Sequence, residues 1–325
     1  MSDPAGATGS DLDEGPPLDS DGAGFDDELE RRRARADIEV PIVAALRQGQ
    51  RNPVEPTRYT GSDTLRFACH PGVSCWNQCC HDTQITLTPR DVARLGKRLG
   101  QRPGEFAAQY GRAVVHEPSD MPVLQLEMRA AGAAAQRPCV FLDPVAGCTV
   151  YADRPDACRY YPLGLATVKM KGHDEPEDFY FLVREPHCRG HEEPREQTVD
   201  EFLAAQGIDG DERNRGWTHI LMKLASWKSV GGPGGKAPDE RVRRMFLMVS
   251  TDPDAFRRFV LGSSFLDKYA VAPQVRAEVE RDDELLTMLG FDWLRAVLFN
   301  EPTLHLREPV LQEAIARARR DTGAT

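Results

Sequence analysis

Eight cysteines, all of them between Cys69 and Cys188, constrain this 325-residue chain more than any other feature of its sequence. Residues 189–325 contain none. Core packing alone gives no reason for such a grouping, so the cysteines indicate either a disulfide framework or a metal centre. The choice between the two depends on the redox compartment in which the chain folds.

The N-terminal segment favours a reducing compartment. A secretory signal needs a cationic end followed by an apolar run, whereas the first 30 residues carry ten acidic side chains and no Lys or Arg. The apolar stretches of the chain are far shorter than the roughly 18–20 residues that span a bilayer. We therefore expect a cytoplasmic protein without a membrane partner, in which reduced cysteines bind metal in preference to forming disulfides.

The charge distribution separates a tail from the rest of the chain. The formal net charge of -10 belongs to the acidic first segment, because the other 41 acidic residues balance 41 Lys and Arg. The chain beyond residue 30 has no net charge and therefore no positively charged surface of the kind that binds nucleic acid, so we expect no nucleic-acid partner. High charge and low apolar content predict that residues 1–36 are a disordered acidic tail.

Local signals predict a mixed first part of the chain. A strand at residues 83–87 leads into a helix that Thr88 caps, Pro89 begins and Gly100 ends. We also predict a short helix at residues 43–48, a helix at 104–113, strands at 123–128 and 179–184, and a turn-rich segment at 139–162.

A second, helical part follows the last cysteine. Thr198 and Glu201 form a capping-box pattern, and apolar residues recur at helical spacing beyond them. Helices are predicted near residues 239–250, 253–261, 273–289, 292–299 and 309–320. The expected fold is α+β: a small, irregular, metal-nucleated cysteine-cluster domain at residues 37–193, followed by a mostly α-helical region at residues 194–325.

The cysteines fall into two groups with different spacing. Thiolates are ligands for zinc and for iron–sulfur clusters, and neighbouring side chains such as a vicinal cysteine pair chelate one tetrahedral ion poorly. The first group is compact and ends in such a pair, and the second group is spread over separate loops that must converge. The predicted ligands are Cys69, Cys75, Cys79 and Cys80 in the first group, and Cys139, Cys148, Cys158 and Cys188 in the second.

Three strings of residues resemble a known family. They are Phe67-Ala-Cys69 followed by Cys75-Trp-Asn-Gln-Cys79-Cys80, then Leu87-Thr-Pro-Arg-Asp-Val-Ala-Arg-Leu95, then the Cys139 to Pro162 segment with its Arg154-Pro-Asp-Ala-Cys158-Arg159 run. This pattern, over roughly residues 64–207, resembles the YkgJ-type cysteine-cluster family, which is described as a zinc- or iron-chelating CxxCxxCC domain. One departure is the spacing of the first two cysteines, which five residues separate here.

The same resemblance extends distantly to a flagellin lysine methylase, which implies protein lysine methylation as an alternative function. A methyl-donor site would lead us to expect a Gly-rich turn between a strand and a helix, and the sequence has none. The Cys-x3-Cys-x2-Cys pattern of radical enzymes also fails, because Asp82 stands at the third cysteine position. Whether the chain is an enzyme stays open.

Side chains beside the cysteines suggest further roles. Arg154 and Arg159 flank Cys158, where they could offset the negative charge of a thiolate-rich centre and hydrogen-bond to sulfur, or could form a turn-stabilising ion pair. Three histidines adjoin cysteines and a fourth lies three residues after Cys188. Each could replace a thiolate at a zinc site, but eight thiolates already fill two four-ligand sites, so we interpret the histidines as surface or neighbouring residues. These histidines are His70, His81, His187 and His191.

The number of thiols and the vicinal pair favour an iron–sulfur cluster, with zinc as the alternative cofactor. Three classes of function fit such a chain. The first is a protein with a structural or redox metal centre whose helical region contacts a partner or substrate protein; the second is a protein-modifying enzyme; the third is a metal chaperone or sensor. An open coordination position beside a pocket would favour the enzyme, and an exposed labile metal would favour the chaperone.

Overall fold

The computed structural model describes residues 54–55, 57–130, 136–168, 177–208, 212–229, 231 and 238–322. The predicted acidic tail at residues 1–36 and the predicted helix at residues 43–48 lie outside these residues. Within the described part, no helix combines the length and the apolar character needed to cross a membrane.

The first part of the chain combines short helices with small antiparallel sheets. Strand β1 pairs with β9, β2 and β3 flank β4, β5 pairs with β6, and β7 pairs with β8. The elements are β1 (Thr64–Arg66), β2 (Thr86–Leu87), α1 (Pro89–Leu99), α2 (Pro103–Tyr110), β3 (Gly111–His116), β4 (Met121–Leu126), β5 (Leu142–Asp143), β6 (Gly147–Cys148), α3 (Asp156–Tyr160), β7 (Leu163–Val168), β8 (Glu177–Leu182), β9 (Glu196–Thr198) and α4 (Val199–Ala205).

The rest of the chain is helical, so the α+β class with a helical C-terminal part is confirmed. Its helices are α5 (Glu212–Ser229), α6 (Glu240–Ser250), α7 (Pro253–Gly262), α8 (Phe265–Lys268), α9 (Pro273–Glu278), α10 (Asp283–Phe299) and α11 (Glu308–Thr322).

Helix α1 begins where the capping signals place it. The Thr88 hydroxyl accepts a hydrogen bond from Asp91 N at 3.1 Å, and Thr88 N donates to Asp91 Oδ2 at 2.9 Å. Pro89 occupies the first helical position and Gly100 ends the helix with a φ of 66°. Thr198 and Glu201 make the same reciprocal pair at the start of α4.

The predicted helix at residues 104–113 is too long. Helix α2 ends at Tyr110, and residues 111–116 form β3, which pairs along its whole length with β4. The β-branched pair Val114 and Val123 lies in this register. Pairing with the next strand, β4, therefore overrides the local helical pattern. Strands β4 and β8 each lie two residues earlier than the predicted 123–128 and 179–184.

The predicted helices at 273–289 and 292–299 have the break between them at the wrong position, because the structure has helices Pro273–Glu278 and Asp283–Phe299. The break falls at Asp282, whose Oδ1 accepts hydrogen bonds from Glu284 N and Leu285 N at 2.9 Å and caps α10. Gly290 does not end a helix, because it lies inside α10 where the helix packs against Val249 of α6. A buried glycine here serves close helix packing.

Three apolar cores hold the structure together. The largest joins the C-terminal helices to Met121 and Val123 of β4. The second lies between α1, α2 and β4, and Cys139 and Cys148 pack against it. The third lies around β1, β7, β8 and α4, and Cys188 packs against it. Three of the cysteines thus lie at the edges of two separate cores.

Candidate metal centre

The first cysteine group lies on a loop that is wound into successive turns. Gln78 N donates to Cys75 O at 2.9 Å, and Cys80 N donates to Asn77 O at 3.0 Å. A single 3₁₀ turn, Gln78–Cys80, carries the vicinal pair. Asn77 and Asp82 bracket this turn with φ values of 69° and 49°, in the left-handed region that Asn and Asp tolerate best among residues with a side chain.

The loop that carries Cys188 lies directly against the Cys75 loop. Arg189 N donates to Cys75 Sγ at 3.1 Å, and Ala68 N donates to Gly190 O at 3.1 Å. A Cβ on Gly190 would lie 2.5 Å from Phe67 Cε2, so glycine is required for this close approach. Cys188 therefore joins the first cysteine group although more than a hundred residues separate them.

Cys139 and Cys148 are placed by a hairpin that docks on the vicinal pair. Cys139 N donates to Cys80 O at 2.8 Å. The β5–β6 hairpin then sets Cys148 opposite Leu142. The turn of this hairpin uses Gly147 at a φ of 82°, and a Cβ there would lie 2.8 Å from the Trp76 ring. The two cysteine groups are therefore connected through the backbone.

Cys158 is held by a buried ion-pair network that the sequence pattern did not reveal. Arg94 Nη2 donates to Asp91 Oδ1 at 2.6 Å and to Asp156 Oδ1 at 3.0 Å. The same guanidinium donates to the carbonyl oxygens of Asp153 at 3.3 Å and Arg154 at 2.9 Å. Helix α1 is thereby fixed to the start of α3, which carries Cys158. The signal was present as charges in the Leu87–Leu95 and Arg154–Arg159 strings, but their pairing required the fold.

The two predicted arginines have different surroundings. Arg159 is buried and donates to backbone carbonyls, including Arg154 O at 3.1 Å and Gln206 O at 3.2 Å. Arg154 stacks on the Tyr151 ring, with Cζ 4.0 Å from the ring centroid. Burial raises the pKa values of the Cys69 and Cys148 thiols, and the positive charge of Arg154 partly offsets that rise. Arg154 is thus the arginine whose charge acts on the thiols, and a contact with bound metal stays a prediction for both.

The Cys69 thiol marks one side of the cysteine cluster. Desolvation raises its pKa to about 11, and the neighbouring thiols of Cys79, Cys75 and Cys188 contribute in that order. The residue as a whole is nevertheless exposed, as is Cys79. This side of the cluster is therefore open to the protein surface.

The Cys158 thiol marks the opposite side. Burial raises its pKa most strongly, and the thiols of Cys139, Cys79 and Cys148 raise it further. Cys79 is thus a neighbour of the thiols on both sides, and its pKa is raised by a hydrogen bond with Cys80 and by desolvation. Eight free cysteines from five stretches of the chain are thus brought into one region, which hydrogen bonds between their loops hold together.

The histidines beside the cysteines have partners of their own. His70 Nε2 lies 3.2 Å from Glu193 Oε2, and His81 Nδ1 lies 3.1 Å from Asn77 O. His187 Nε2 lies 3.5 Å from Glu185 Oε2. His191 packs on the Phe67 ring and its Nε2 lies 3.2 Å from Val183 O. The contacts of His70, His81 and His191 support the interpretation of these three as surface or neighbouring residues, whereas His187 Nε2 is buried and has no hydrogen-bond partner in the described part of the chain.

Comparison with known proteins places this segment in a family. Residues 68–198 match the model of the CxxCxxCC family, described as a "putative zinc- or iron-chelating domain". The chain contains a CxxCxxCC domain. The family resemblance expected from the cysteine pattern is therefore confirmed for these residues, and metal binding is the general function of the domain. No curated protein and no solved structure matches the chain.

The donor set of the CxxCxxCC domain fits a thiophilic metal. All eight cysteines are free. Thiols that lie close together and are buried have raised pKa values, and a bound cation lowers these values because it favours the thiolate form. As the side chains stand, no three Cys, His, Asp or Glu groups in the described ranges are arranged to hold an ion. Rotation about χ1 moves each sulfur without moving the backbone, so coordination would draw the thiols together.

A further polar group near the thiols fits the same chemistry. The buried Tyr161 hydroxyl makes no hydrogen bond of ordinary geometry within the described part of the chain. It lies beside Cys188 and Glu185, and burial together with these neighbours raises its pKa. A hydroxyl that keeps its proton is a donor available to a thiolate or sulfide sulfur.

Proposed function

We propose that the CxxCxxCC domain carries an iron–sulfur centre on its eight cysteines, with a structural or redox role. The observation that carries this proposal is that hydrogen bonds bring the loops of the two cysteine groups together: Arg189 N donates to Cys75 Sγ, and Cys139 N donates to Cys80 O. Cysteine thiolates are the usual ligands of iron–sulfur clusters. Zinc bound by the same residues is the alternative.

The number and arrangement of the thiols favour iron–sulfur over a single zinc. One tetrahedral zinc uses four ligands, whereas eight free thiols lie in this cluster. The vicinal pair Cys79 and Cys80 shares one 3₁₀ turn, and adjacent side chains on such a turn suit a multi-iron cluster or two neighbouring metals better than one ion.

The positions of the ligands support a structural contribution. Cys75 and Cys188 belong to loops that contact the third apolar core through Phe67, whereas Cys139 and Cys148 pack on the second core. A metal bound between them cross-links segments that are distant in sequence, so its binding free energy becomes folding free energy. The domain is therefore expected to lose stability when the metal is removed.

The chain's own residues would also tune a redox centre. When bound, an iron–sulfur cluster supplies one-electron transfer. Arg154 places a positive charge near Cys69 and Cys148, which offsets thiolate charge and favours the reduced form. Exposed Cys69 and Cys79 leave one side of the centre accessible to a partner protein. The helical region, residues 194–325, is our candidate for the surface that contacts this partner.

The test is to purify the chain without oxygen and to measure iron, zinc and acid-labile sulfide together with the visible spectrum. Iron and sulfide in near-equal amounts, with a band that bleaches on reduction, would establish the iron–sulfur centre. Stoichiometric zinc without colour would replace it by a structural zinc site. A chain that binds neither metal would contradict the proposal altogether.

Variants assign the metal to the cysteines. Cys79→Ser is expected to cause the largest loss of metal, because Cys79 neighbours thiols on both sides. Val145→Ser, on the tip of the β5–β6 hairpin where the side chain is 87% exposed, is the matched control and should keep full metal content. His81→Ala should also keep its metal, and a loss equal to that of Cys79→Ser would make His81 a ligand.

A further inference from the structure

The cysteines are attached to two different frameworks. Cys188 packs on the core around β1 and α4, and Cys139 and Cys148 pack on the core between α1 and β4. Hydrogen bonds also join the two frameworks, because Arg159 of α3 donates to Gln206 O at 3.2 Å and Cys139 N donates to Cys80 O at 2.8 Å. The two sets of thiols are nevertheless attached to different apolar cores.

The first framework carries three thiols. Cys69 follows β1, and the loop around Cys188 is tied to it by the bond from Ala68 N to Gly190 O. Cys75, which is buried, accepts from Arg189 N through its sulfur at 3.1 Å. The thiols of Cys75 and Cys188 are both neighbours of Cys69. These three cysteines form the set that we name subsite A.

The second framework also carries three thiols. The β5–β6 hairpin fixes Cys148 relative to the Cys139 loop, and Leu142 N donates to Cys139 O at 3.0 Å. Arg94 attaches the start of α3, and with it Cys158, to helix α1. The Cys158 thiol neighbours those of Cys139 and Cys148. These three cysteines form subsite B.

The vicinal pair lies at the boundary between the subsites. Cys79 neighbours Cys69 in subsite A and Cys158 in subsite B. The backbone of Cys80 is bonded to subsite B, because its carbonyl accepts from Cys139 N at 2.8 Å. A short 3₁₀ turn, Gln78–Cys80, thus presents two thiols between two sets of three.

We propose that the centre is divided into two metal subsites, one built on Cys69, Cys75 and Cys188 and the other on Cys139, Cys148 and Cys158, with Cys79 and Cys80 supplying the remaining ligands of both. This inference rests on the proposed function, since it concerns how the same thiols share metal. Each subsite binds its own soft metal, and every thiol that becomes a ligand releases its proton to solvent. Four thiolates per subsite match the ligand count of a Cys₄ site.

The experiment titrates the metal-free full-length chain with Co²⁺ in the absence of oxygen and follows the thiolate-to-cobalt charge-transfer absorption. The wild-type chain is expected to bind two Co²⁺ ions. Cys188→Ser and Cys158→Ser are each expected to keep one ion, and the double variant none. Val145→Ser, which exchanges an exposed hairpin residue for the same hydroxyl side chain, should bind two.

Two outcomes would overturn the division. A wild-type chain that saturates with one ion has a single site, and this measurement needs no variant. If each single variant loses both ions while its helical circular dichroism equals that of the wild type, the eight cysteines form one indivisible centre. In either case the proposed function stands. A chain that binds no Co²⁺ and is purified without metal would contradict the proposed function as well.

Discussion

Replacement of Arg94 by methionine tests how helix α3, which carries Cys158, is held against helix α1. The Arg94 side chain is 11% exposed and pairs with two carboxylates, of Asp91 and Asp156, which are 0% and 10% exposed. Methionine keeps most of the volume and removes the charge. Removing one partner of a buried ion pair typically costs about 3–5 kcal/mol, because a buried charge is left uncompensated.

The structure places Arg94→Met at the lower end of that range. Asp91 keeps two backbone donors in the variant, Thr88 N at 2.9 Å and Asp156 N at 3.1 Å. We therefore expect a loss of about 3 kcal/mol in the free energy of unfolding. At roughly 2–4 °C per kcal/mol for a large domain, the melting temperature of the metal-loaded chain falls by about 6–12 °C.

The loss should also depend on pH in a defined direction. Burial and the charge of Asp156 raise the pKa of Asp91 to about 7, whereas Arg94 lowers it. The folded pKa lies above the unfolded value of about 3.9, so ionisation of Asp91 costs stability as pH rises. Without Arg94 the folded pKa rises further. The deficit of the variant should then grow by about 1.4 kcal/mol per pH unit above 7, up to the new pKa.

Arg98→Met is the matched control, because it makes the same replacement one turn further along α1. Arg98 is 53% exposed and lies 3.6 Å from Asp153, so its ion pair should contribute about 0–1 kcal/mol. The assay is thermal unfolding followed by far-UV circular dichroism at pH 6, 7 and 8. Equal losses for the two variants, or an Arg94→Met deficit that does not increase with pH, would refute the reasoning.

Two further predictions concern the helical region. Gly290→Ala places a Cβ 2.7 Å from Val249 Cγ1, so it should be less stable by about 1–3 kcal/mol than the control Gly262→Ala, whose Cβ meets nothing within 4 Å; equal melting temperatures would contradict this. Glu301→Gln should cost about 2 kcal/mol, measured by urea unfolding at pH 7 against the exposed control Glu313→Gln. Burial alone would raise the pKa of Glu301, but hydrogen bonds from three side chains hold it at about 2. The contribution is therefore full above the unfolded pKa of about 4.3 and is lost as pH falls toward 2. If the stability lost in Glu301→Gln stayed unchanged between pH 6 and pH 2, this prediction would be contradicted. The three side chains that donate to Glu301 are Lys223, His219 and Arg295.

Features that depend on neighbouring residues were predicted well. The starts of α1 and α4 follow from Thr88 with Asp91 and from Thr198 with Glu201, because a capping box is made within four residues. The division of the C-terminal helices was predicted less well, since the predicted helices separate between residues 289 and 292, next to Gly290, whereas the break falls at Asp282. A glycine inside a helix and one at its end look alike until the neighbouring helix is known.

For the candidate site, the sequence identified the cysteines as a group but not their neighbours. The approach of Cys188 to Cys75 depends on Gly190, which lets two loops pass within contact distance. The attachment of Cys158 depends on Arg94, which lies more than sixty residues earlier in the chain. Neither contact leaves a local pattern, because each joins residues whose proximity is created by the fold.

The sequence by itself determined the chemistry of this protein: the clustered thiols indicate a thiophilic metal, and capping and apolar periodicity specify most helices. These properties are carried by residue type and short spacing. Only the tertiary structure decided that residues 111–116 form a strand, that the thiols lie on two frameworks, and that Arg94 is buried between two carboxylates. The physical reason is that strand pairing, core packing and buried ion pairs join separate segments of the chain, and one sequence does not specify which segments meet.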